Sequence, residues 1–271
     1  GLYAAFFMCF ISAVFGGRPG MISGATGAMA VVMVSIMNLF PGDPVKGMQY
    51  LFATVILTGI FQIIVGLLGF GKFISMMPKS VMVGFGNGLA IVIFLSQLEQ
   101  FKYLPAGSTQ KIWLHGVDAV VMVSLVILAM IITHFLPKLT KAFPSALTAI
   151  IVVTIIALFI PLPSKHILSV GDMIGAGKNY VSHFFSVPYV PFSFAVVKVM
   201  VPYAIVLAII GLSESLMTLS LIDERTKTRG YGNRECIAQG VGNIVSGFFK
   251  SMGGCAMIGQ SMINITSGGR G

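Results

Sequence analysis

The sequence predicts an all-α polytopic membrane protein, for three reasons. Apolar residues make up 56% of the 271 residues and charged residues only 9%, whereas soluble domains carry about 25% charged residues. The mean hydropathy is +0.95, and the apolar segments run well beyond the ~10-residue alternating strands of a membrane β-barrel. The net charge is +9, but the basic residues are scattered singly between these segments. This distribution is typical of residues that orient helices in a lipid bilayer. It does not form the basic surface of a nucleic-acid-binding protein.

Apolar segments separated by Gly, Pro and Lys are the predicted membrane helices. They lie near residues 2–15, 26–40, 50–69, 80–98, 117–136, 143–160, 196–222, 236–249 and 255–265. The connections between them are short except for residues 161–194, which contain four prolines. We therefore predict two groups of helices, 1–160 and 195–271, divided by an external connector.

Basic residues in the connections predict which helix ends face the cytoplasm. One set of alternate connections carries ten Lys or Arg residues and the opposite set carries seven. This bias places residues 223–235 in the cytoplasm and the 161–194 connector outside. The sequence begins with Gly, has no signal-peptide pattern and ends in a polar turn. We therefore expect an excerpt of a longer protein, with spans missing at both ends.

Two of the predicted helices are too short to cross a bilayer. The 26–40 and 255–265 segments would cover about 22 and 16 Å at ~1.5 Å per residue, against a hydrocarbon core of ~30 Å. Each follows a polar, glycine-rich stretch. Short, glycine-interrupted segments in corresponding positions are typical of transporter half-helices preceded by extended chain at membrane depth. The alternative is two ordinary short helices at the rim.

The starts of these half-helices predict an anion site. A helix N-terminus presents unpaired N–H groups and roughly half a positive charge, so two together can bind an anion without a cationic side chain. Ser23 and Thr26 offer hydroxyl groups, and Gly27 allows close approach to the backbone. On the second half-helix, the exposed N–H groups are expected near Ala256, Met257 and Ile258, with Gln260 and Ser261 one turn further on. The alternative is that Ser23 and Thr26 only cap a helix.

Glu214 is the candidate coupling residue. It lies in the apolar run 195–222 and is the only acidic residue between Asp172 and Asp223. An intramembrane carboxylate costs ~2.5–3.5 kcal/mol on insertion scales and normally marks an ion or proton path. Thr218, four residues on, shares its helix face, so this pair can hold Na⁺, or the carboxyl group can take a proton. The alternative is a structural hydrogen bond that only holds helices together.

No other chemistry is indicated by the sequence. Cys9, Cys236 and Cys255 lack the spacing of a disulfide framework or a metal site. The sequence shows no nucleophile–base pair that would predict an enzyme. We expect no cofactor, and no metal beyond Na⁺ at Glu214 and Thr218.

Six stretches of the chain resemble the SulP (sulfate permease) family of anion transporters. They read GLYAAFF at 1–7, FGGRPGMISGATGAMAVV at 15–32, MMPKSVMVGFGNG at 76–88, GLSESLMTLSLID at 211–223, NRECIAQGVGNIVSGFF at 233–249 and GGCAMIGQSMINITSGGRG at 253–271. The resemblance implies a 7+7 inverted-repeat fold with core and gate domains and two half-helices at the binding site. Residues 1–160 would then be the first repeat without its first helix, and 195–271 the truncated start of the second. It also implies a homodimer.

The resemblance further implies roles for single residues. Thr26 matches a hydroxyl position that contacts the anion, beside Gly27 and Ala28, and Glu214 and Thr218 match the Asp and Thr sodium ligands of sodium-coupled relatives. The matching backbone positions on the facing half-helix are Ala256, Met257 and Ile258. Gln260 stands where many animal relatives have Arg, Ile258 replaces a Thr, and Ala28 stands where many members have Pro.

The predicted function is secondary active transport of a small inorganic anion, sulfate or bicarbonate, across a bacterial inner membrane. Glu214 couples this transport to H⁺ or Na⁺, and a site without Arg and with a titratable carboxyl group suits proton–anion symport. Two alternatives are a nucleobase carrier of the same fold and an anion channel without coupling.

Overall fold

The computed structural model describes residues 2–40, 42–72, 79–98, 101–103, 112–140, 145–159, 188 and 194–269. The predicted 161–194 connector lies outside the described residues, apart from 188 and 194. The chain divides into two units, residues 1–92 with 182–271, and residues 93–181. The first unit contains every predicted site residue.

Each predicted membrane segment overlaps a helix. In the first unit these are α1 (Leu2–Phe15), α2 (Gly27–Met37), α3 (Pro44–Leu67), α7 (Phe194–Thr226), α8 (Gly232–Phe248) and α9 (Ile258–Thr266). Helix α4 (Lys79–Leu98) has residues in both units, and the second unit contains α5 (Val117–Leu139) and α6 (Ser145–Phe159). The helical fold class is therefore confirmed. The described residues also form four two-residue strands, β1 (Ser23–Gly24), β2 (Lys102–Tyr103), β3 (Ile112–Trp113) and β4 (Cys255–Ala256).

Helix boundaries differ from the hydropathy boundaries where polar residues continue a helix. Helices α7 and α8 extend into the predicted 223–235 loop, so that only residues 227–231 connect them. Hydropathy marks the part of a chain that suits lipid, whereas backbone hydrogen bonding continues a helix beyond it. At its start, α3 is fixed by Asp43, whose side chain accepts a hydrogen bond from Lys46 N, and by Pro44 in the first turn.

Three helices of the described chain are long and apolar enough to cross a membrane, in the ranges Val45–Leu67, Val117–Leu139 and Val196–Thr226. Helix α5 buries none of its residues within the protein, and large apolar side chains such as Phe6 and Phe10 on α1 are exposed. A helix that presents apolar side chains outward needs a hydrocarbon environment. The protein is therefore an integral membrane protein.

Glycines allow α3 and α8, the helix pair with the largest contact, to approach closely. A Cβ atom on Gly59 would lie 2.4 Å from the Gly240 carbonyl oxygen, and one on Gly240 would lie 2.6 Å from the Gly59 carbonyl oxygen. Gly66 and Gly247, seven residues further along each helix, make similar approaches to the partner backbone. Small residues at membrane-helix interfaces permit this backbone contact.

Gly240→Ala is expected to lower the melting temperature of the protein. The added methyl group overlaps the Gly59 carbonyl oxygen, and overpacking of this kind costs ~1–3 kcal/mol. Gly88→Ala in α4 is the matched control, because a Cβ atom there meets no described residue within 4 Å. Thermal unfolding in detergent checks the comparison. Equal melting temperatures for the two variants would contradict the described α3–α8 contact.

Candidate functional site

The two short helices follow opposite ends of one antiparallel strand pair. Strand β1 pairs antiparallel with β4, with Ser23 opposite Ala256 and Gly24 opposite Cys255. The chain enters α2 three residues after β1 and enters α9 two residues after β4. Because the strands are antiparallel, the chain leaves the strand pair toward α2 at one end and toward α9 at the other. The extended chain that the sequence predicts before each half-helix is thus present, and its two segments pair with each other.

Neither half-helix is capped by a side chain at its N-terminus. Thr26 and Met257 are the N-cap residues, with extended backbone angles, and neither side chain makes a capping hydrogen bond. In the described structure the first-turn N–H groups have no hydrogen-bond partner. They belong to Gly27, Ala28 and Met29 of α2 and to Ile258, Gly259 and Gln260 of α9. Both helices therefore offer N–H donors of the kind that bind anions.

The free N–H groups of the second half-helix lie two residues later in the chain than the sequence predicts. The Ala256 N–H group donates to Ser215 Oγ at 3.0 Å, and the Met257 N–H group donates to the Ile22 carbonyl oxygen at 2.8 Å. The expectation that these two amides are exposed is therefore wrong, because strand pairing and α7 already engage them. Of the three amides predicted near this turn, only that of Ile258 has no partner in the described structure.

Glu214 lies on α7, which packs against both half-helices. Its side chain is 6% exposed, and Oε2 accepts a hydrogen bond from Cys255 Sγ at 3.0 Å. The Cys255 sulfur in turn lies 3.1 Å from Thr26 Oγ1. Among the described residues, no protein cation forms an ion pair with this carboxyl group. The structure therefore connects the predicted coupling residue to the predicted anion-site hydroxyl through one thiol group.

The remaining predicted residues surround this connection. Thr218 Oγ1 is buried one turn from Glu214 and donates to the Glu214 carbonyl oxygen at 2.8 Å, which leaves its lone pairs available to a cation. Gly27 and Gln260 are exposed, whereas Ala28 is buried. The described residues contain no group of three His, Cys, Asp or Glu side chains that could hold a metal ion.

Ser23 has a structural contact instead of a capping role. Its hydroxyl oxygen lies 2.9 Å from Ser12 Oγ and accepts a hydrogen bond from Gln239 Nε2 at 2.7 Å. Gln239 Nε2 also donates to Glu235 Oε1, while Glu235 Oε2 accepts from the Gly17 N–H group at 2.8 Å. This buried network attaches the chain before α2 to helix α8.

The polar side chains on one face of α8 were not among the residues predicted for the site. Glu235, Gln239 and Asn243 are fully buried and lie four residues apart, and this spacing places them on one helix face. Asn243 Nδ2 donates to Gln62 Oε1 at 2.8 Å and to the Gly254 carbonyl oxygen at 3.0 Å, and Oδ1 accepts from the Gly254 N–H group at 2.8 Å. The four-residue polar period was the available signal. Cys255 carried no such signal.

Arg18 joins the end of α7 to the chain that precedes the first half-helix. Its Nε atom lies 3.2 Å from Asp223 Oδ1, and Nη2 donates to the hydroxyl groups of Thr226 and Thr228. A cavity of about 370 Å³ adjoins this cluster and is lined by Lys72, Asp223, Arg229, Tyr231 and neighbouring residues. Its lining includes none of the predicted anion-site residues, so the cavity and the strand pair are separate features of the first unit.

The whole chain, residues 1–271, matches the sequence model of the Sulfate permease family. The chain belongs to this family. YbaR of Bacillus subtilis (strain 168), a candidate sulfate transporter, is 48% identical over all of the chain and 52% of its own length. The bicarbonate transporter BicA of Picosynechococcus sp. is 32% identical over all of the chain and 49% of its own length. The chain thus spans about half the length of these sulfate permease relatives.

Two solved transporter structures share this fold. The transmembrane domain of a cyanobacterial BicA matches with a TM-score of 0.77 and 31% identity, covering 99% of this chain and 69% of that domain. Murine Slc26a9 in the inward-facing state matches with a TM-score of 0.72 over 99% of this chain and 48% of that protein. At 18% identity this second likeness concerns the fold alone. The family and these relatives are described as transporters and not as enzymes.

Proposed function

We propose that this sulfate permease family member transports a small inorganic anion, sulfate or bicarbonate, by secondary active transport. One observation carries the proposal. Two helices without a side-chain cap begin next to the same strand pair, and the buried Glu214 carboxyl group lies beside it. The names of the relatives, which include sulfate and bicarbonate transporters, support this substrate class. Sulfate and bicarbonate both present oxygen acceptors, which free backbone N–H groups bind.

The anion is proposed to bind between the starts of the two half-helices. The Thr26 hydroxyl group and the first-turn N–H groups of Gly27 and Ala28 supply donors from α2. On α9, the donors are the N–H groups from Ile258 to Gln260, while Ala256 and Met257 hold the turn through their own hydrogen bonds. The helix dipoles add partial positive charge at both ends, so binding needs no cationic side chain.

Glu214 is proposed to bind the coupling ion, H⁺ or Na⁺. Its carboxyl group is buried on the helix that supports both half-helices, and Thr218 places a second oxygen one turn away. A cation here offsets the charge of the carboxylate close to the incoming anion. We further propose that the complete protein is a homodimer in a bacterial inner membrane, with two inverted repeats whose core moves against the gate.

Uptake into proteoliposomes tests this function. The complete protein, with any residues that flank these 271, is reconstituted and supplied with labelled sulfate or bicarbonate under an imposed pH or Na⁺ gradient. Uptake that follows one gradient identifies both substrate and coupling ion. Anion current that depends on voltage but on neither gradient would indicate a channel. Absence of uptake of both anions would refute the assignment and favour an organic substrate such as a nucleobase.

Thr26→Val is expected to raise the apparent KM for the anion by about tenfold, because a hydrogen bond to a charged group contributes ~1.5–3 kcal/mol. Valine keeps the branched shape of threonine while removing its hydroxyl group. Concentration-dependent uptake measures the effect. Thr133→Val on the exposed face of α5 is the control, since Thr133 Oγ1 donates to the Ala129 carbonyl oxygen of its own helix. An unaltered KM in Thr26→Val would place the anion elsewhere.

A further inference from the structure

Thr26, Cys255 and Glu214, which come from three separate parts of the fold, form one buried row of hydrogen bonds, called the relay below. Thr26 precedes α2, Cys255 belongs to β4 and Glu214 belongs to α7. The distances are 3.1 Å from Thr26 Oγ1 to Cys255 Sγ and 3.0 Å from Cys255 Sγ to Glu214 Oε2. Cys255 is fully buried. The strand register that places Cys255 opposite Gly24 sets the thiol group between the other two side chains.

The direction of hydrogen bonding along the relay depends on the charge of Glu214. An ionised carboxylate can only accept, and a thiol group has one proton to donate. With Glu214 ionised, the Cys255 proton is directed to Oε2, and the sulfur accepts the Thr26 hydroxyl proton. Thr26 then presents only lone pairs to its surroundings. In this arrangement its hydroxyl group repels an anion.

A cation at Glu214 reverses the direction. A proton on Oε2 makes the carboxyl group a donor to the Cys255 sulfur. A Na⁺ ion on Oε2 draws electron density from this oxygen and makes it a weaker acceptor for the thiol proton. In both cases the Cys255 proton becomes available to Thr26 Oγ1. The Thr26 hydroxyl proton is then released from sulfur and can be donated to the anion.

We propose that Cys255 is a positioning residue that transmits cation binding at Glu214 to Thr26, so that cation and anion bind together. This inference rests on the proposed anion-transport function and supplies its coupling step. It requires no contact between Cys255 and the anion. Couplings between two binding sites are typically about 5- to 150-fold in affinity, and we expect the coupling cation to lower the anion KM of the wild-type protein by a factor in this range.

The structure distinguishes this role from ordinary packing. Thr26 occupies an N-cap position, yet its hydroxyl group contacts Cys255 and does not cap its own helix. Cys236 is also a buried cysteine, but it contacts neither Glu214 nor Thr26 through a hydrogen bond among the described residues. Cys236 therefore provides the matched control.

The test compares the anion KM with and without the coupling cation in proteoliposomes that contain the complete protein. In Cys255→Ala the cation dependence of KM should fall to less than about twofold, because alanine cannot transmit a hydrogen bond. Cys255→Ser should retain the dependence, since a hydroxyl group both donates and accepts. Cys236→Ala should behave as wild type. A wild-type cation effect in Cys255→Ala would overturn the relay and leave anion transport intact, whereas failure of wild-type uptake would refute the proposed function itself.

Infrared spectroscopy gives a second readout that does not need a folded alanine variant. The S–H stretching band of Cys255, assigned by difference from Cys255→Ser, should shift when the coupling cation is added to the detergent-solubilised protein, because the thiol changes its acceptor. The bands of Cys9 and Cys236 should stay in place. A Cys255 band that does not respond to the cation would also overturn the relay.

Discussion

Glu214→Gln is expected to abolish cation-driven uptake of the anion. Glutamine has nearly the shape of glutamate and can still accept a hydrogen bond from Cys255, but it can neither take up a proton nor present a full negative charge to Na⁺. The five- to 150-fold coupling typical of linked sites, about 1–3 kcal/mol, should therefore fall to nearly none. Residual uptake down the anion gradient is compatible with this result, because the half-helix N–H groups are unchanged.

The measurement is initial-rate uptake with the coupling gradient present and with it collapsed. Glu224→Gln is the control, because Glu224 is an exposed glutamate on the same helix. Its gradient-driven uptake should equal that of the wild type. Wild-type gradient dependence in Glu214→Gln would place the coupling ion at another residue and remove the basis for the Cys255 relay.

Asn243→Leu is expected to cause the largest loss of stability among the substitutions proposed here. The side chain of Asn243 makes three hydrogen bonds within the core, one to Gln62 and two to the backbone of Gly254. Leucine has a similar volume but leaves all three partners buried without a hydrogen bond. Each such group costs ~1–3 kcal/mol, so the combined loss approaches the 5–15 kcal/mol total stability of a typical domain. We expect little folded protein.

Yield of monodisperse protein and its melting temperature measure this effect. Asn38→Leu is the control, because Asn38 is exposed at the end of α2 and should tolerate the change. A wild-type melting temperature in Asn243→Leu would show that the turn before β4 does not depend on α8. The result also bears on function, since Gly254 directly precedes Cys255 in the chain.

The sequence alone was sufficient to predict the helical membrane fold and the two half-helices. Hydropathy reports the transfer of side chains into hydrocarbon, which is a property of composition over about twenty residues and needs no tertiary information. The same local reasoning predicted extended chain before α2 and α9. The roles of Thr26 and Glu214 rest on their chemistry within apolar segments and on the family resemblance, and they stay predictions. The division of the chain into two repeats and the orientation in the membrane stay predictions.

Only the tertiary structure decided which groups meet. The strand pair joins residues more than two hundred positions apart, as does the contact from Thr26 to Cys255, and no local period encodes such a pairing. Strand pairing and Ser215 engage the amides of Ala256 and Met257, which helix geometry by itself leaves free. Cys255 had no pattern of its own in the sequence. Its proposed role follows from the packing of β4 against α7, which places the thiol group within hydrogen-bond distance of the Glu214 carboxyl group and the Thr26 hydroxyl group.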